Sequence, residues 1–270
     1  MRTETRDVAG VKTYIRRAGA GKPLLLLHGL GASSYTWRGA FAHLEGYDVV
    51  APDFPGHGRS QPLDDFDYSI SGLSTWVTAL LDDLGWASAP LVGNSLGGIV
   101  SLWTAMEHPG RVSRLGLVGV PAYPENRPIA VWPLGWPVFG RVYESLLGAT
   151  LLRAVAKTVY VDSATVTDEL VAEYSLALET AGGRRAVAEV VRRAIPPDWR
   201  ARVARYGEVK QPALVLVGER DRMVGRSGGE RLARDLGSAR LDIVAGVGHA
   251  PHEDDPGLVM PRLRAFLDER

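Results

Sequence analysis

Cysteine is missing altogether from the 270 residues, so no disulfide, thiolate nucleophile or cysteine-ligated metal can belong to this protein. Lysine is scarce too. Only four of the 31 basic residues are Lys, and the arginines are spread along the chain rather than clustered. Neither sign of charge prevails, with 31 basic residues against 31 acidic ones, which leaves no electrostatic footprint for nucleic acid or an anionic membrane. Long hydrophobic runs are also lacking. The longest uncharged apolar stretch, Pro128 to Gly140, is too short and too rich in proline to span a bilayer. Residues 1–9 are polar and offer no apolar core for a signal peptide. The expectation is a cytoplasmic protein without nucleic-acid partners or stable membrane insertion.

What is present is an alternation of strand and helix signals. Val8 to Arg17 suggests a short opening hairpin, and Leu24-Leu25-Leu26-Leu27 reads as a strand buried on both faces. A short helix is expected over Ser33–Leu44, then a strand over Tyr47–Ala51 and a helix over Tyr68–Leu84 with Leu73, Val77, Leu80, Leu81 and Leu84 on one stripe. Leu91-Val92 and Leu115–Val120 read as strands on either side of a helix from Leu96 to Glu107. Such alternation argues for a doubly wound, mostly parallel sheet, an α/β fold. The rhythm breaks after Pro121. Helical patterns follow at Val142–Thr158, Thr167–Ala181 and Arg184–Ala194, the second with Thr167 as N-cap. Alternation resumes with strands Ala213–Val217 and Arg240–Val244 and helices near Gly228–Leu236 and Gly257–Glu269. The chain therefore divides into a core of residues 1–121 and 207–270 and an all-helical cap of residues 122–206.

The chemistry is announced by Gly93-Asn94-Ser95-Leu96-Gly97-Gly98, which follows an apolar run and opens a helix. A serine on so sharp a strand-to-helix turn is strained and exposed, and bulk two residues to either side would clash, a need that Gly93 and Gly97 meet. The pentapeptide alone is a modest signal. Its context is His28-Gly29 after an earlier strand, Gly218-Glu219-Arg220-Asp221 after a later one, and Gly248-His249-Ala250-Pro251 after the last.

In that order and over nearly the whole length, the chain resembles the α/β-hydrolase fold. A serine hydroxyl is a poor nucleophile and needs a base within hydrogen-bond reach, and that base needs a buried carboxylate on its far nitrogen. Ser95, His249 and Asp221 suit these roles, with Glu125 a weaker candidate acid and His252 a weaker base. Backbone N–H groups of Leu30 and Leu96 are expected to form the oxyanion hole. The resemblance implies that His28 orients the oxyanion loop and that Asp53 is structural.

The apolar segment around Trp132, Trp136, Phe139 and Tyr143 is a candidate pocket lining, with Tyr35 and Trp37 beyond the oxyanion loop as further candidates. The stretch His28 to Trp37 is similar to the corresponding loop of haloalkane dehalogenases, and those enzymes and epoxide hydrolases carry Asp where this chain has Ser95. The elbow resembles that of meta-cleavage-product hydrolases, which split carbon–carbon bonds, although those relatives usually place Trp after the histidine and this chain has Ala250. The expected activity is hydrolysis of small-molecule carboxylic esters, a carboxylesterase working without metal or organic cofactor. Carbon–carbon hydrolysis is the alternative, and a ligand-sensing hydrolase-fold receptor a more distant one.

Overall fold

The run Leu24–Leu27 lies at the centre of the molecule and divides strictly by alternation. Leu25 and Leu27 pack to one side with Leu73, Leu80, Ile99 and Trp103, while Leu24 and Leu26 pack to the other with Val259, Leu263 and Phe266. A strand buried on both faces has no polar side to reveal, which is why it reads as continuous leucine. In this computed structural model residues 1–126, 134, 136, 139–194 and 196–269 are described.

The core is one eight-stranded sheet built from β1 (Arg2–Val8), β2 (Val11–Ala18), β3 (Lys22–Leu27), β4 (Tyr47–Pro52), β5 (Ala89–Asn94), β6 (Val112–Val118), β7 (Ala213–Gly218) and β8 (Ala239–Val244). Their spatial order is β1-β2-β4-β3-β5-β6-β7-β8. β1 and β2 are antiparallel to their neighbours, and all pairings from β4 to β8 are parallel. The doubly wound α/β expectation therefore holds. The strand order reverses at β3, between β4 and β5, and a crevice opens beyond the carboxyl ends of strands at such a switch point. Helices α1 (Ile70–Asp83) and α2 (Leu96–Glu107) cover one face, and the C-terminal helix covers the other.

β1 begins six residues earlier than the apolar pattern suggests. It is an edge strand whose polar side chains Thr3, Thr5 and Asp7 face water, while Arg6 lies half-buried and pairs with Asp83 of α1. Ser33–Leu44 is not the expected helix but two short 3-10 turns, Ser34–Trp37 and Phe41–His43. Tertiary contacts override the helical pattern there. The Ser34 N–H is taken by Asp53 at 2.6 Å, and Gly39 lies so close to Pro256 that a Cβ would sit 2.7 Å from its ring.

Between β6 and β7 every described regular element is helical: α3 (Phe139–Ser145), α4 (Ala149–Val159), α5 (Asp168–Ser175), α6 (Ala181–Arg193) and α7 (Trp199–Val203), with 3-10 turns among them. Val142–Thr158 is two helices, because Gly148 adopts an extended φ of −176° and starts α4 afresh. Thr167 caps α5, accepting the Leu170 N–H at 3.1 Å. The remaining helices are α8 (Gly225–Leu236), α9 (Pro251–Asp254) and α10 (Pro256–Asp268).

Candidate active site

β5 ends at Asn94 and α2 begins at Leu96, so Ser95 alone turns the chain, with φ 52° and ψ −113°. A non-glycine residue held there carries about 1–3 kcal/mol of strain. The neighbouring glycines make it possible. A Cβ on Gly93 would lie 2.2 Å from the Gly97 backbone, and one on Gly97 would lie 2.3 Å from the Leu27 carbonyl oxygen. The turn is fastened by the Ser95 N–H donating to the Val118 carbonyl at 2.9 Å.

Two peptide units flank this turn with free N–H groups. The Ser95 carbonyl accepts from the Gly98 and Ile99 N–H groups at 3.0 and 3.1 Å. Across a trans peptide the N–H points opposite to the C=O, so the Leu96 N–H is directed out of the helix start. The Gly29–Leu30 peptide obeys the same logic. His28 Nε2 accepts the Phe54 N–H at 2.9 Å, which leaves the proton on Nδ1 to donate to the Gly29 carbonyl at 2.8 Å. The Ala32 N–H reaches that carbonyl as well, at 3.2 Å. With the carbonyl pinned, the Leu30 N–H faces the other way. Neither N–H has a hydrogen-bond acceptor among the described residues. Burial lowers the His28 pKa to about 4, so its ring stays neutral and keeps this tautomer.

Asp221 follows β7 and His249 follows β8, strands that the topology makes adjacent. His249 Nδ1 lies 3.0 Å from Asp221 Oδ2, while Oδ1 accepts the Met223 and Val224 N–H groups at 2.8 and 3.0 Å. Burial opposes ionisation of Asp221, but the bond and charge of His249 and those two N–H groups outweigh it and hold the carboxyl below the ordinary aspartate range. An ionised carboxylate fixes the proton on Nδ1, so in the neutral ring Nε2 carries the lone pair. That nitrogen is buried and without a hydrogen-bond partner among the described residues. Glu125, the weaker candidate acid, pairs with Arg231 at the surface.

Ser95 and His249 line one cavity of about 170 Å³, lined also by Leu134, Leu147, Leu151, Leu152 and Val155 from the helical stretch between β6 and β7. Its floor includes Gly29, Leu30 and Asn94. No Arg or Lys lines it among the described residues. Nor do the described residues hold any group of three or more His, Asp or Glu suited to a metal ion. A family profile described as alpha/beta hydrolase fold matches residues 22–256. The chain belongs to the alpha/beta hydrolase family. Among its relatives, a 2-hydroxy-6-oxononadienedioate/2-hydroxy-6-oxononatrienedioate hydrolase of Burkholderia vietnamiensis is 32% identical over 90% of this chain and 86% of its own length. An uncharacterized hydrolase of Bacillus subtilis is 26% identical over 96% of both chains. In structure the chain is similar to a variant of the meta-cleavage product hydrolase CumD, at TM-score 0.82 and 25% identity, over 99% of this chain and 98% of that one.

This alpha/beta hydrolase departs from sequence expectation at three pocket positions. Trp37 does not face the cavity. It is fully buried on the opposite side of the turn, its ring stacked 4.1 Å from that of His252 in the apolar layer beneath the sheet. Trp136 is 54% exposed and is not part of the lining. Tyr143 does line the cavity, while Tyr35 packs edge-on against Tyr174 instead. Trp132 and the side chain of Phe139 lie outside the described residues.

Two residues of the site went unread in the sequence. Asn94 donates through Nδ2 to the carbonyls of Val118 and His249, at 3.1 and 3.0 Å, tying the elbow to the histidine loop. Glu253 lines the cavity with its carboxylate almost wholly buried.

Proposed function

We propose that the protein hydrolyses uncharged carboxylic esters with small to medium apolar acyl groups, through Ser95, His249 and Asp221. The observation that carries this reading is that Ser95 and His249 line one cavity, with His249 Nδ1 held by Asp221 at 3.0 Å and its buried Nε2 left without a hydrogen-bond partner among the described residues. Ser95 Oγ attacks the ester carbonyl carbon as Nε2 takes its proton. The carbonyl oxygen becomes the oxyanion, stabilised by the Leu30 and Leu96 N–H groups, each worth about 10²–10³ in rate. As the tetrahedral species collapses, the C–O bond to the alcohol breaks and His249 returns the proton to the leaving oxygen. Water, deprotonated by the same nitrogen, then releases the acid from the acyl-serine. The insertion acts as a cap over the pocket, and a cytoplasmic site of action belongs to the same reading.

The choice of ester rests on the lining. A dienedioate of the kind named for the Burkholderia vietnamiensis relative brings two carboxylates, and the described lining residues offer them no Arg or Lys. An unpaired anion in an apolar cavity is costly. A second reading, hydrolysis of a carbon–carbon bond beside a ketone, has its support in the names of that relative and of the CumD structure. The deciding assay is turnover of p-nitrophenyl esters from acetate to octanoate beside a ring-fission dienoate, with Ser95→Ala in parallel. Ester turnover lost in Ser95→Ala supports the proposal. Dienoate cleavage without ester turnover replaces it with the second reading.

A further inference from the structure

The one carboxylate among the described lining residues belongs to Glu253, and its hydrogen bonds reach three separate parts of the chain. Thr36 Oγ1, from the turn that follows the oxyanion loop, donates to it at 2.7 Å. The Tyr160 hydroxyl, just beyond α4, donates at 2.7 Å, and the Tyr174 hydroxyl on α5 reaches both oxygens at 2.8 and 2.9 Å. Arg38 adds a charge-assisted bond. Both phenols have their pKa raised, chiefly by burial, so they remain donors.

The histidine loop is bound to the same stretch of the insertion by its backbone. The His249 N–H donates to the Val159 carbonyl at 3.2 Å, one residue before Tyr160. Asp254 accepts the Gly248 N–H at 2.7 Å and the Val161 N–H at 3.4 Å. Residues 159–161 thus grip the histidine loop on both sides of His249. The approach is close, since a Cβ on Gly248 would lie 2.9 Å from the Val159 oxygen.

We propose that Glu253 is a positioning residue that locks the loop of His249 to the insertion, so that the seating of the insertion over the pocket sets the placement of the base. A buried carboxylate satisfied by four side-chain donors resists losing any of them, because the remaining charge has no water to turn to. The histidine loop, the oxyanion turn and the insertion therefore shift together or not at all. α9 makes the lever stiff: the Glu253 and Asp254 N–H groups both return to the Ala250 carbonyl, at 2.9 and 3.0 Å. A second anchor keeps the insertion attached when the phenols are removed, since Glu173 on α5 pairs with Arg16 and Arg59.

The proposal rests on Ser95 and His249 acting as nucleophile and base, and its test separates the two. Tyr160→Phe, Tyr174→Phe and the double variant keep the rings in their apolar seam and remove only the hydroxyls, leaving Glu253 its bonds from Thr36 and Arg38. Three quantities are measured on the full chain: kcat and KM for p-nitrophenyl acetate and octanoate, the rate of Ser95 labelling by an ethyl fluorophosphonate, and hydrogen exchange at the His249 amide against β3 as internal reference. The expected result for the double variant is a fall in kcat and labelling by roughly ten- to a hundredfold for both chain lengths, with KM within twofold, since small misplacements of a reacting group cost that much. Exchange at His249 should quicken at least tenfold while β3 is unchanged. A change confined to KM for octanoate would make Glu253 a mere pocket wall, and unchanged exchange at His249 would overturn the coupling outright. If the parent protein takes neither ester nor fluorophosphonate, the functional reading falls, and exchange alone still decides the coupling.

Discussion

Replacing His28 by Leu isolates what one buried ring contributes to the proposed oxyanion hole. Leucine nearly matches the volume of imidazole but removes both polar atoms from a fully buried position. The Phe54 N–H, now bonded at 2.9 Å, loses its acceptor, and the Gly29 carbonyl keeps only the longer bond from Ala32 at 3.2 Å. One stranded buried N–H and a half-held carbonyl together cost about 2–4 kcal/mol of stability. For a chain of this size that lowers Tm by roughly 4–15 °C. The larger effect falls on rate. Once the Gly29 carbonyl can swing, the Leu30 N–H of the same peptide plane no longer aims into the pocket, and the loss of one oxyanion donor costs about 10²–10³ in kcat. Steady-state kinetics with p-nitrophenyl butyrate, run well below the lowered Tm, should show that fall with KM little altered. A variant that melts earlier yet keeps kcat within threefold of the parent would refute the reasoning, leaving Ala32 sufficient to hold the peptide and His28 a packing residue.

Acid should destabilise the fold through three buried imidazoles. Burial lowers the pKa of His28 to about 4 and those of His57 and His252 to about 3. Each binds a proton in the unfolded chain near pH 6.5 but not in the folded one, so their contribution is complete above that pH and is lost as pH falls toward 4, by about 4 kcal/mol per pH unit for the three together. Urea titrations at pH 7 and 5 measure this slope, and His57→Leu should remove about a third of it; an unaltered slope would contradict the assignment. Gly97→Ala should cost about 3 kcal/mol, because its Cβ would meet the Leu27 oxygen at 2.3 Å, whereas Gly110→Ala, with nothing within 4 Å, should be close to neutral by the same denaturation assay. Asp221→Asn should lower kcat by a factor on the order of 10⁴ by mispairing the His249 tautomer, with KM nearly constant; an active Asn variant would remove Asp221 from the mechanism.

The parts of this protein legible in its residues are those decided at short range. The Leu24–Leu27 run, the helix from Leu96 to Glu107 and the cap at Thr167 follow from periodicity and turn chemistry within a few residues of themselves. The glycines around Ser95 belong here as well, because the clash they avoid lies within their own turn. Asp221 and His249 were readable through their positions after late strands, the places from which loops converge in a parallel sheet. Tertiary structure decided what depends on which strands become neighbours and which way a loop is pulled. β7 and β8 lying side by side bring Asp221 to His249, while Glu125 is drawn to Arg231 at the surface. Asp53 and Pro256 turn an expected helix into 3-10 turns, and that redirects Trp37 under the sheet to His252. Glu253 takes its meaning from tyrosines about 80–90 positions earlier, a distance across which no local pattern carries information. Backbone period and turn geometry act between near neighbours in the chain, whereas burial and charge pairing act between neighbours in space.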